Sequence, residues 1–331
     1  MRVVFRADAS VTIGTGHVMR CLTLSEALRL RGHSCAFVCR DLPGHLGALI
    51  ESRGFDAMLL PAPDGPFKPS PDDPAHAHWA GVHWQDDAEA TRAVLGDGLN
   101  WLVLDHYAFD TRWQRAARPE GTQVMVLDDL ADRPHAAALL LDAQLGRCSG
   151  DYDPWLAPGA ERLIGPRFAL LRPEFSAARK GSLSRRAAGT TGLRHIFIFM
   201  GGVDLPDVTS LALAAILRAK LPDLRAITVV MGSNAPALAQ VQARAQQMPV
   251  PTRVLTGVSN IATAMNDADL AIGAGGGTAW ERCAVGLPTL MVIIADNQDV
   301  GAKALARAGA VQLVGQATDP GLTDAVEQAL R

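Results

Sequence analysis

The sequence predicts an α/β protein made of two doubly wound parallel sheets that face each other across a cleft. Short apolar runs alternate with helical segments along the 331 residues, and six such runs fall in each half of the chain. Runs that are apolar throughout are typical of parallel strands covered on both faces. The stretch between the halves, Ser176–Leu193, lacks apolar periodicity. We therefore expect an N-terminal domain over residues 1–175, a linker over 176–193 and a C-terminal domain over 194–331.

The strands of both domains are expected where the apolar runs lie. In the first half these are Arg2–Phe5, Cys35–Cys39, Ala57–Leu60, Trp101–Leu104, Val124–Leu127 and Ala138–Leu141. In the second half they are His195–Met200, Ala226–Met231, Thr252–Leu255, Asp269–Gly273, Thr289–Ile294 and Val311–Val314. Ligands bind doubly wound sheets outside the carboxyl ends of the strands. The residues that follow these runs are therefore the candidates for a functional site.

Composition excludes several classes of function. A net charge of −3 gives no electrostatic footprint for nucleic acid or an anionic membrane, so we expect neither as a partner. Between Arg2 and Arg6 stand only three apolar residues, which leaves no signal-peptide core. The five cysteines are odd in number and form no Cys-x-x-Cys pair, as expected of reduced thiols in a cytoplasmic protein.

The segment after the first run carries the strongest candidate residue. Gly14 and Gly16 let the backbone approach a ligand, and His17 follows them where a helix begins. The field of a helix N-terminus disfavours imidazolium, so His17 should tend toward the neutral form that a general base needs. A dinucleotide site is not favoured, because Met19 occupies the third glycine position. The alternative is a tight turn with a helix-capping histidine.

A second glycine segment follows the run Asp269–Gly273. The consecutive glycines Gly275–Gly277 can cradle phosphates with their backbone N–H groups. Thr278 fits a helix N-cap and Glu281 stands three residues later, so one interpretation is a capping box. Three glycines exceed what a cap requires, and the functional alternative is that Glu281 faces the cleft and binds a ribose diol.

Other strand ends offer weaker candidates. Asn297 and Gln298 end an apolar run and can reach sugar hydroxyls or an N-acetyl group, unless they form an ordinary polar loop. The group Asp105–Tyr107 is either a cleft wall or a satisfied strand end. The roles of Asp8, Asp105, Asp128 and Asp129, and of the Pro/Asp-rich stretch 61–98, stay open.

No metal site is expected. The Asp-x-Asp pairs at Asp151 and Asp267 are best explained by chance, since the second precedes its strand and the first lies in a loop. The sequence also contains neither a P-loop nor a Gly-x-Ser-x-Gly elbow.

Two motif blocks together resemble one family. They are Arg6-Ala-Asp-Ala-Ser10 with Ile13-Gly-Thr-Gly-His17-Val-Met-Arg20, and Gly275-Gly-Gly-Thr-Ala-Trp280-Glu281 with Gly286-Leu-Pro288 and Ala295-Asp-Asn297-Gln298. Spanning nearly the whole chain, they resemble the UDP-2,4-diacetamido-2,4,6-trideoxy-β-L-altropyranose hydrolases of pseudaminic acid biosynthesis. More distantly, the chain is similar to the undecaprenyl-linked N-acetylglucosaminyl transferase of peptidoglycan synthesis.

The resemblance implies a GT-B-like fold, with two Rossmann-like domains facing a central cleft, and a metal-independent hydrolase that uses no cofactor. Water attacks the anomeric carbon with inversion and UDP leaves. By this resemblance His17 is the general base, Asn297 lies beside the sugar, and Tyr107 matches an aromatic residue near it. Glu281 binds the ribose and Gly275–Thr278 hold the diphosphate. The full set expected to bind substrate is Gly14, Gly16, Arg20, Gly201, Gly202, Gly232, Ser233, Gly275, Gly276, Gly277, Thr278, Glu281 and Gln298.

Two other functions remain open beside the hydrolase. A GT-B inverting glycosyltransferase that uses a UDP-amino sugar would share every UDP-binding feature, and a non-catalytic sensor would leave the UDP-sugar intact. A dehydrogenase is disfavoured by the failed glycine fingerprint. The expected partner is a small-molecule UDP-sugar, and the expected oligomeric state is a monomer or a weak homodimer.

Overall fold

The structure of the chain is a computed structural model that describes residues 1–189, 192–258 and 260–331. The chain divides into two compact units, Met1–Leu170 and Leu171–Arg331. Within the described residues, one sheet has seven strands and the other has six, and each pairs its strands in parallel. The predicted α/β class with two parallel sheets is therefore confirmed.

The first unit alternates strands and helices. Its elements are β1 (Arg2–Ala7), α1 (Gly16–Arg29), β2 (Ser34–Arg40), α2 (Gly47–Ser52), β3 (Asp56–Leu60), α3 (Trp84–Leu95), β4 (Trp101–Asp105), α4 (Thr111–Ala117), β5 (Gln123–Leu127), β6 (Leu139–Asp142) and β7 (Glu161–Ile164). Short 3₁₀ helices cover Ala77–Ala80, Ser149–Tyr152 and Pro166–Phe168. The strand order is β3-β2-β1-β4-β5-β6-β7, so the connections reverse direction between β1 and β4, where doubly wound sheets bind ligands.

The second unit repeats this plan. Its elements are α5 (Pro173–Ala187), β8 (His195–Phe199), α6 (Val208–Ala219), β9 (Ala226–Met231), α7 (Leu238–Ala245), β10 (Thr252–Thr256), α8 (Ile261–Asp267), β11 (Leu270–Ala274), α9 (Thr278–Ala284), β12 (Thr289–Ile293), α10 (Asp299–Arg307), β13 (Gln312–Gln316) and α11 (Leu322–Leu330), with a 3₁₀ helix at Asp296–Gln298. The order is β10-β9-β8-β11-β12-β13. The reversal here lies between β8 and β11.

Strand β1 shows why these segments become central strands. Val3, Phe5 and Ala7 pack into one apolar cluster, and Val4 packs into the cluster on the opposite face, because successive side chains of a strand point to opposite faces. Arg6 is also fully buried, and its guanidinium is paired with Asp8 at 2.6 Å and with Asp87 at 2.7 Å. A buried charge needs such partners.

Helix α5 occupies most of the segment 176–193 that the sequence led us to expect as a linker. It belongs to the second unit, where Phe175 is buried among residues of α8, β8 and β11. Ser182 Oγ donates to the carbonyl of Val285 at 2.7 Å, and Arg186 Nε donates to the same oxygen at 3.0 Å. Apolar periodicity misses this helix because much of its attachment is polar. Thr190 and Thr191, at the end of the expected linker, lie outside the described residues.

Strand β7, at the edge of the first sheet, lies outside the predicted apolar runs. It pairs with β6 through Leu139 and Glu161. Its sequence, Glu-Arg-Leu-Ile, begins with two charged residues. Charged side chains are common on edge strands, which are exposed to solvent along one side. None of the helices in the described part of the chain is long and apolar enough to cross a membrane.

Candidate functional site

The turn before α1 brings His17 to the switch point of the first sheet. Ser10 Oγ accepts hydrogen bonds from the backbone N–H groups of Thr12 and Ile13 at 3.1 and 2.9 Å, and Gly14 has a left-handed φ of +81° that favours glycine. A Cβ at Gly16 would have nothing within 4 Å. His17 is the second residue of α1 and is 8% exposed.

The imidazole of His17 is held by Asp105, the last residue of β4. His17 Nδ1 lies 2.6 Å from Asp105 Oδ1. Asp105 also accepts from Arg20, at 2.5 Å to Nε and 2.7 Å to a terminal nitrogen. Although burial opposes its ionisation, the Arg20 guanidinium beside Asp105 holds the pKa of that carboxyl well below its usual range, and His17 adds to the effect.

An ionised Asp105 fixes the tautomer of the neutral imidazole. A carboxylate can only accept hydrogen bonds, so Nδ1 of His17 must carry the proton that faces Asp105. The lone pair of the neutral ring is then on Nε2. Within the described residues, no hydrogen bond occupies Nε2 of His17. This arrangement of carboxylate, imidazole and free Nε2 suits a general base.

Tyr107 and Asp129 complete the cluster around His17. The Tyr107 ring meets the His17 ring edge-on, with centroids 4.6 Å apart. Its hydroxyl donates to Asp129 Oδ2 at 2.5 Å, and Arg20 Nη1 donates to the same oxygen at 2.6 Å. Burial raises the pKa of the Tyr107 phenol well above its ordinary value, so the hydroxyl stays a donor. Arg20 thus links the two carboxylates.

Two aspartates whose roles the sequence left open have structural partners. Asp8 is fully buried, pairs with Arg6 and accepts from the backbone N–H of Arg40 at 2.7 Å. Asp128 is fully buried and accepts from the hydroxyl of Tyr152 at 2.8 Å. Both carboxylates stabilise strand ends of the first unit.

In the second unit the glycine loop Gly275–Gly277 follows β11 at the switch point. Helix α9 has Gly277 at its N-cap position and no side-chain cap, so the capping-box interpretation of Thr278 and Glu281 is wrong. Thr278 Oγ1 instead accepts from Arg282 Nη1 at 3.1 Å. No side chain at the N-cap position of α9 therefore occupies the N–H groups of its first turn.

Glu281 is buried beside this loop. Its Oε1 accepts from Arg172, at 3.2 Å to Nε and 2.8 Å to Nη2. Its Oε2 is buried and has no hydrogen-bond partner among the residues that the structure describes. Burial raises the pKa of this carboxyl. A buried acceptor without a partner is costly, so Oε2 is a candidate ligand atom.

Gln298 supports the glycine loop from below. Its Oε1 accepts from the backbone N–H groups of Gly275 and Ile294, both at 3.2 Å. The neighbouring Asn297 is half-buried on the 3₁₀ turn. Gln298 therefore acts through the loop, whereas Asn297 presents an amide at the end of β12.

Among the remaining predicted glycines, Gly202 and Gly232 lie where two backbone segments meet. Gly201 has a φ of +96°, and Gly232 donates to the carbonyl of Gly202 at 2.9 Å. A Cβ at Gly232 would lie 2.2 Å from that oxygen. This contact explains the glycine at 232, while Ser233 next to it is exposed.

Arg282 was not predicted and lies under the glycine loop. It is 1% exposed, and one of its terminal nitrogens donates to the carbonyl of Ala274 at 2.5 Å. A Cβ at Gly273 would lie 2.7 Å from its Nη1. No carboxylate pairs with Arg282 in the described ranges, and burial lowers its pKa to about 10. Gly273, a glycine within β11, is the feature of the sequence that indicates this close approach of the Arg282 side chain to the strand.

No group of three or more His, Cys, Asp or Glu residues in the described part of the chain could hold a metal ion.

Comparison with known proteins identifies relatives of the whole chain and of its second half. Residues 195–330 match the model of the glycosyltransferase family 28 C-terminal domain. The UDP-2,4-diacetamido-2,4,6-trideoxy-beta-L-altropyranose hydrolase of Campylobacter jejuni is 24% identical over 270 residues, which cover 81% of this chain and 83% of that protein. The spore coat polysaccharide biosynthesis protein SpsG of Bacillus subtilis is 30% identical over 314 residues, covering 94% of this chain and 82% of SpsG.

Solved structures establish the fold. MurG of Acinetobacter baumannii superposes with a TM-score of 0.64 at 17% identity, covering 99% of this chain and 89% of MurG. Arabidopsis thaliana UGT89C1, solved with UDP-L-rhamnose, gives a TM-score of 0.63 at 14% identity, covering 99% of this chain and 88% of that one. The predicted GT-B fold is thus confirmed. With its 30% identity over most of both sequences, this chain belongs to the family of the spore coat polysaccharide biosynthesis protein SpsG.

Proposed function

We propose that this protein is a nucleotide-sugar hydrolase that cleaves a UDP-activated 2,4-diacetamido-2,4,6-trideoxyhexose of altrose type at the anomeric carbon, with inversion. The observation that carries the proposal is the pairing of His17 Nδ1 with Asp105 at 2.6 Å, which leaves Nε2 as the basic atom. The similarity to the Campylobacter jejuni enzyme, which is named for this hydrolysis, supports the choice of reaction and substrate.

In the proposed reaction, Nε2 of His17 takes a proton from a water molecule. The water oxygen forms a bond to the anomeric carbon as the bond from that carbon to the diphosphate oxygen breaks. The electron pair of the broken bond leaves on UDP. Asp105 stabilises the imidazolium that forms, as a carboxylate does for a catalytic histidine. General base catalysis of this kind is typically worth ~10²–10⁴-fold in rate.

The second unit would bind the nucleotide. We assign the diphosphate to the loop Gly275–Thr278, with the backbone N–H groups of Gly276–Thr278 as donors because that of Gly275 already donates to Gln298. The buried cation of Arg282 lies next to this loop. Such preorganised donors stabilise charge that develops on a leaving group. The unpartnered Oε2 of Glu281 would accept from the ribose diol, and Asn297 would contact the sugar.

The structural roles of several predicted contacts refine this assignment. Arg20 would position His17 by holding Asp105, and Gln298 would shape the loop through Gly275. Tyr107 is almost fully buried and its hydroxyl is bonded to Asp129, so its ring would support His17 beside the sugar. The other predicted glycines, together with Ser233, would let the nucleotide-sugar approach the backbone; they are Gly14, Gly16, Gly201, Gly202 and Gly232.

Time-resolved ¹H and ³¹P NMR tests the proposal. The protein is incubated with UDP-2,4-diacetamido-2,4,6-trideoxy-altrose and EDTA, without any acceptor. We expect UDP and the inverted free sugar to appear together, and His17→Ala to slow this by ~10²–10⁴-fold while UDP still binds. Full turnover by His17→Ala would show that His17 is not the general base. A substrate that persists while its lines broaden on the protein would indicate a sensor, or a different reaction or sugar.

A glycosyltransferase is the second candidate, because residues 195–330 match a glycosyltransferase domain model. It would transfer the sugar of a UDP-amino sugar to an acceptor instead of water. Release of free sugar at the same rate with and without added acceptor alcohols would exclude this alternative. UDP release that requires an acceptor would favour it over hydrolysis.

A further inference from the structure

The Pro/Asp-rich segment between β3 and α3 contributes aromatic rings to the neighbourhood of His17. Its 3₁₀ helix, Ala77–Ala80, places Trp79 against Tyr107 with the rings nearly parallel at 30° and centroids 5.5 Å apart. Trp79 also meets the His17 ring at 5.9 Å, edge-on. His76 packs against Trp79 at 4.8 Å and Tyr107 at 5.6 Å. Four rings therefore form one cluster, which we call the ring wall: His17, His76, Trp79 and Tyr107.

Contacts at both ends fix this segment in place. Arg40 donates to the carbonyl of Pro61 at 2.7 Å, and Arg112 contacts Asp73 Oδ1 at 3.2 Å. Gly81 adopts a φ of +71°, and a Cβ there would lie 2.6 Å from Pro63. Ala77 and Ala80 are buried in the first unit. The segment is thus packed against the rest of the first unit, although its proline content is typical of a surface loop.

Two members of the ring wall have unused binding capacity. Trp79 is only half-buried, with one face covered by Tyr107. His76 Nδ1 is buried without a hydrogen-bond partner in the described part of the chain. Burial lowers the pKa of this imidazole, which favours a neutral ring. Buried polar atoms of native proteins are nearly always hydrogen-bonded, so an unpaired one beside a functional site needs an explanation.

We propose that the ring wall determines which sugar the protein accepts: Trp79 packs on the apolar C–H face of the hexose, and His76 hydrogen-bonds one of its polar substituents. This inference rests on the proposed function and names the sugar-recognition element within it. An aromatic ring offers a broad apolar surface with few rotatable bonds. Ligand sites combine such surfaces with a few placed polar groups, and a 6-deoxy sugar has a larger apolar face than its 6-hydroxy counterpart.

Equilibrium binding tests the inference without relying on turnover. The probes are UDP and a C-glycosidic analogue of UDP-2,4-diacetamido-2,4,6-trideoxy-altrose, in which CH₂ replaces the anomeric oxygen. Trp79→Leu keeps apolar bulk but removes the ring, and we expect it to raise the Kd of the analogue about three- to tenfold without changing that of UDP. Trp79→Phe should stay within about twofold, because a ring remains.

Matched variants separate recognition from folding. Trp84→Phe alters a tryptophan that is nearby in sequence but packs on Arg112, at 5.3 Å, and should change neither Kd. His76→Leu should weaken the analogue alone, whereas His76→Asn, which keeps a polar atom near the Nδ1 position, should restore binding.

The inference would be overturned if Trp79→Leu bound the analogue as tightly as the parent, or if UDP affinity fell in parallel. An analogue that binds the parent no better than UDP would also overturn it. If the analogue depends on Trp79 but the true substrate is not hydrolysed, the recognition element stands and the proposed hydrolysis fails.

Discussion

Asp128 and Asp142 share one hydroxyl group. Tyr152 Oη lies 2.8 Å from Asp128 Oδ2 and 2.9 Å from Asp142 Oδ2, and a phenol has one proton to donate. Asp128 has Arg133 at 2.8 Å and a pKa held below its usual range despite burial. Burial and the nearby Asp129 raise the pKa of Asp142 to about 6. Near neutral pH, Asp142 is thus the member of the pair that gains or loses a proton.

We predict that Asp142 makes folding stability fall as pH rises through the weakly acidic range. Its folded pKa, about 6, exceeds the ordinary aspartate value of 3.8, so between these values the unfolded chain has already lost the proton that the folded protein keeps. The free energy of unfolding therefore decreases from about pH 4 to pH 6. Asp142→Asn removes this contribution, and its stability relative to the parent should rise over that range by about 2–3 kcal/mol. Urea unfolding at several pH values measures the difference; a constant difference would contradict the prediction.

We predict that Asp105→Asn lowers the proposed turnover ~10²–10⁴-fold while UDP affinity is kept. An asparagine amide can donate to Nδ1 of His17 and so place the imidazole proton on Nε2, the wrong atom for a base. Initial rates and UDP titrations measure the two quantities. Asp153→Asn is the matched control, because Asp153 is 72% exposed and pairs with Arg162. Unchanged kcat in Asp105→Asn would show that His17 needs no orienting carboxylate.

Glu281→Gln should weaken UDP binding about tenfold, a loss typical of a hydrogen bond to a charged acceptor. Binding of 2′-deoxy-UDP should be affected less, because that ligand lacks one of the hydroxyls that the buried Oε2 would accept from. Calorimetric titration of both nucleotides gives the comparison. Glu174→Gln, which alters the other carboxylate near Arg172, at 3.3 Å, serves as control. Equal losses of affinity for the two nucleotides would show that Glu281 does not contact the ribose.

Replacing either of two glycines in the second unit with alanine should affect different properties, stability in one case and UDP binding in the other. Gly232→Ala should destabilise the protein by about 1–3 kcal/mol, the typical cost of overpacking, because its Cβ would lie 2.2 Å from the carbonyl oxygen of Gly202. Gly277→Ala should leave stability nearly unchanged, since a Cβ there meets nothing within 4 Å, but should weaken UDP binding by obstructing the loop. Thermal unfolding and UDP titration test both; a stable Gly232→Ala protein would contradict the prediction.

The fold was predictable because central strands of both sheets, such as β4 and β12, are almost wholly apolar and buried. Apolar patterns do not predict elements that are attached to the rest of the protein by polar contacts. Strand β7 begins with Glu161 at a sheet edge, and α5 is bound through serine and arginine side chains. His17 and the glycine loop stand out locally. The partnership of His17 with Asp105 does not, because the two residues are 88 positions apart in sequence and meet only through the pairing of β1 with β4.

Helix α5 sets the practical boundary for dissecting this protein. The glycosyltransferase domain match begins at residue 195, but the second unit begins at Leu171. A recombinant fragment cut at 195 would expose the apolar pocket that Phe175 fills and leave the carbonyl of Val285 without its two donors. A fragment that starts at Leu171 retains these contacts, and also Arg172, the partner of Glu281. Studies of nucleotide binding by the isolated half should therefore begin about two dozen residues before the homology boundary.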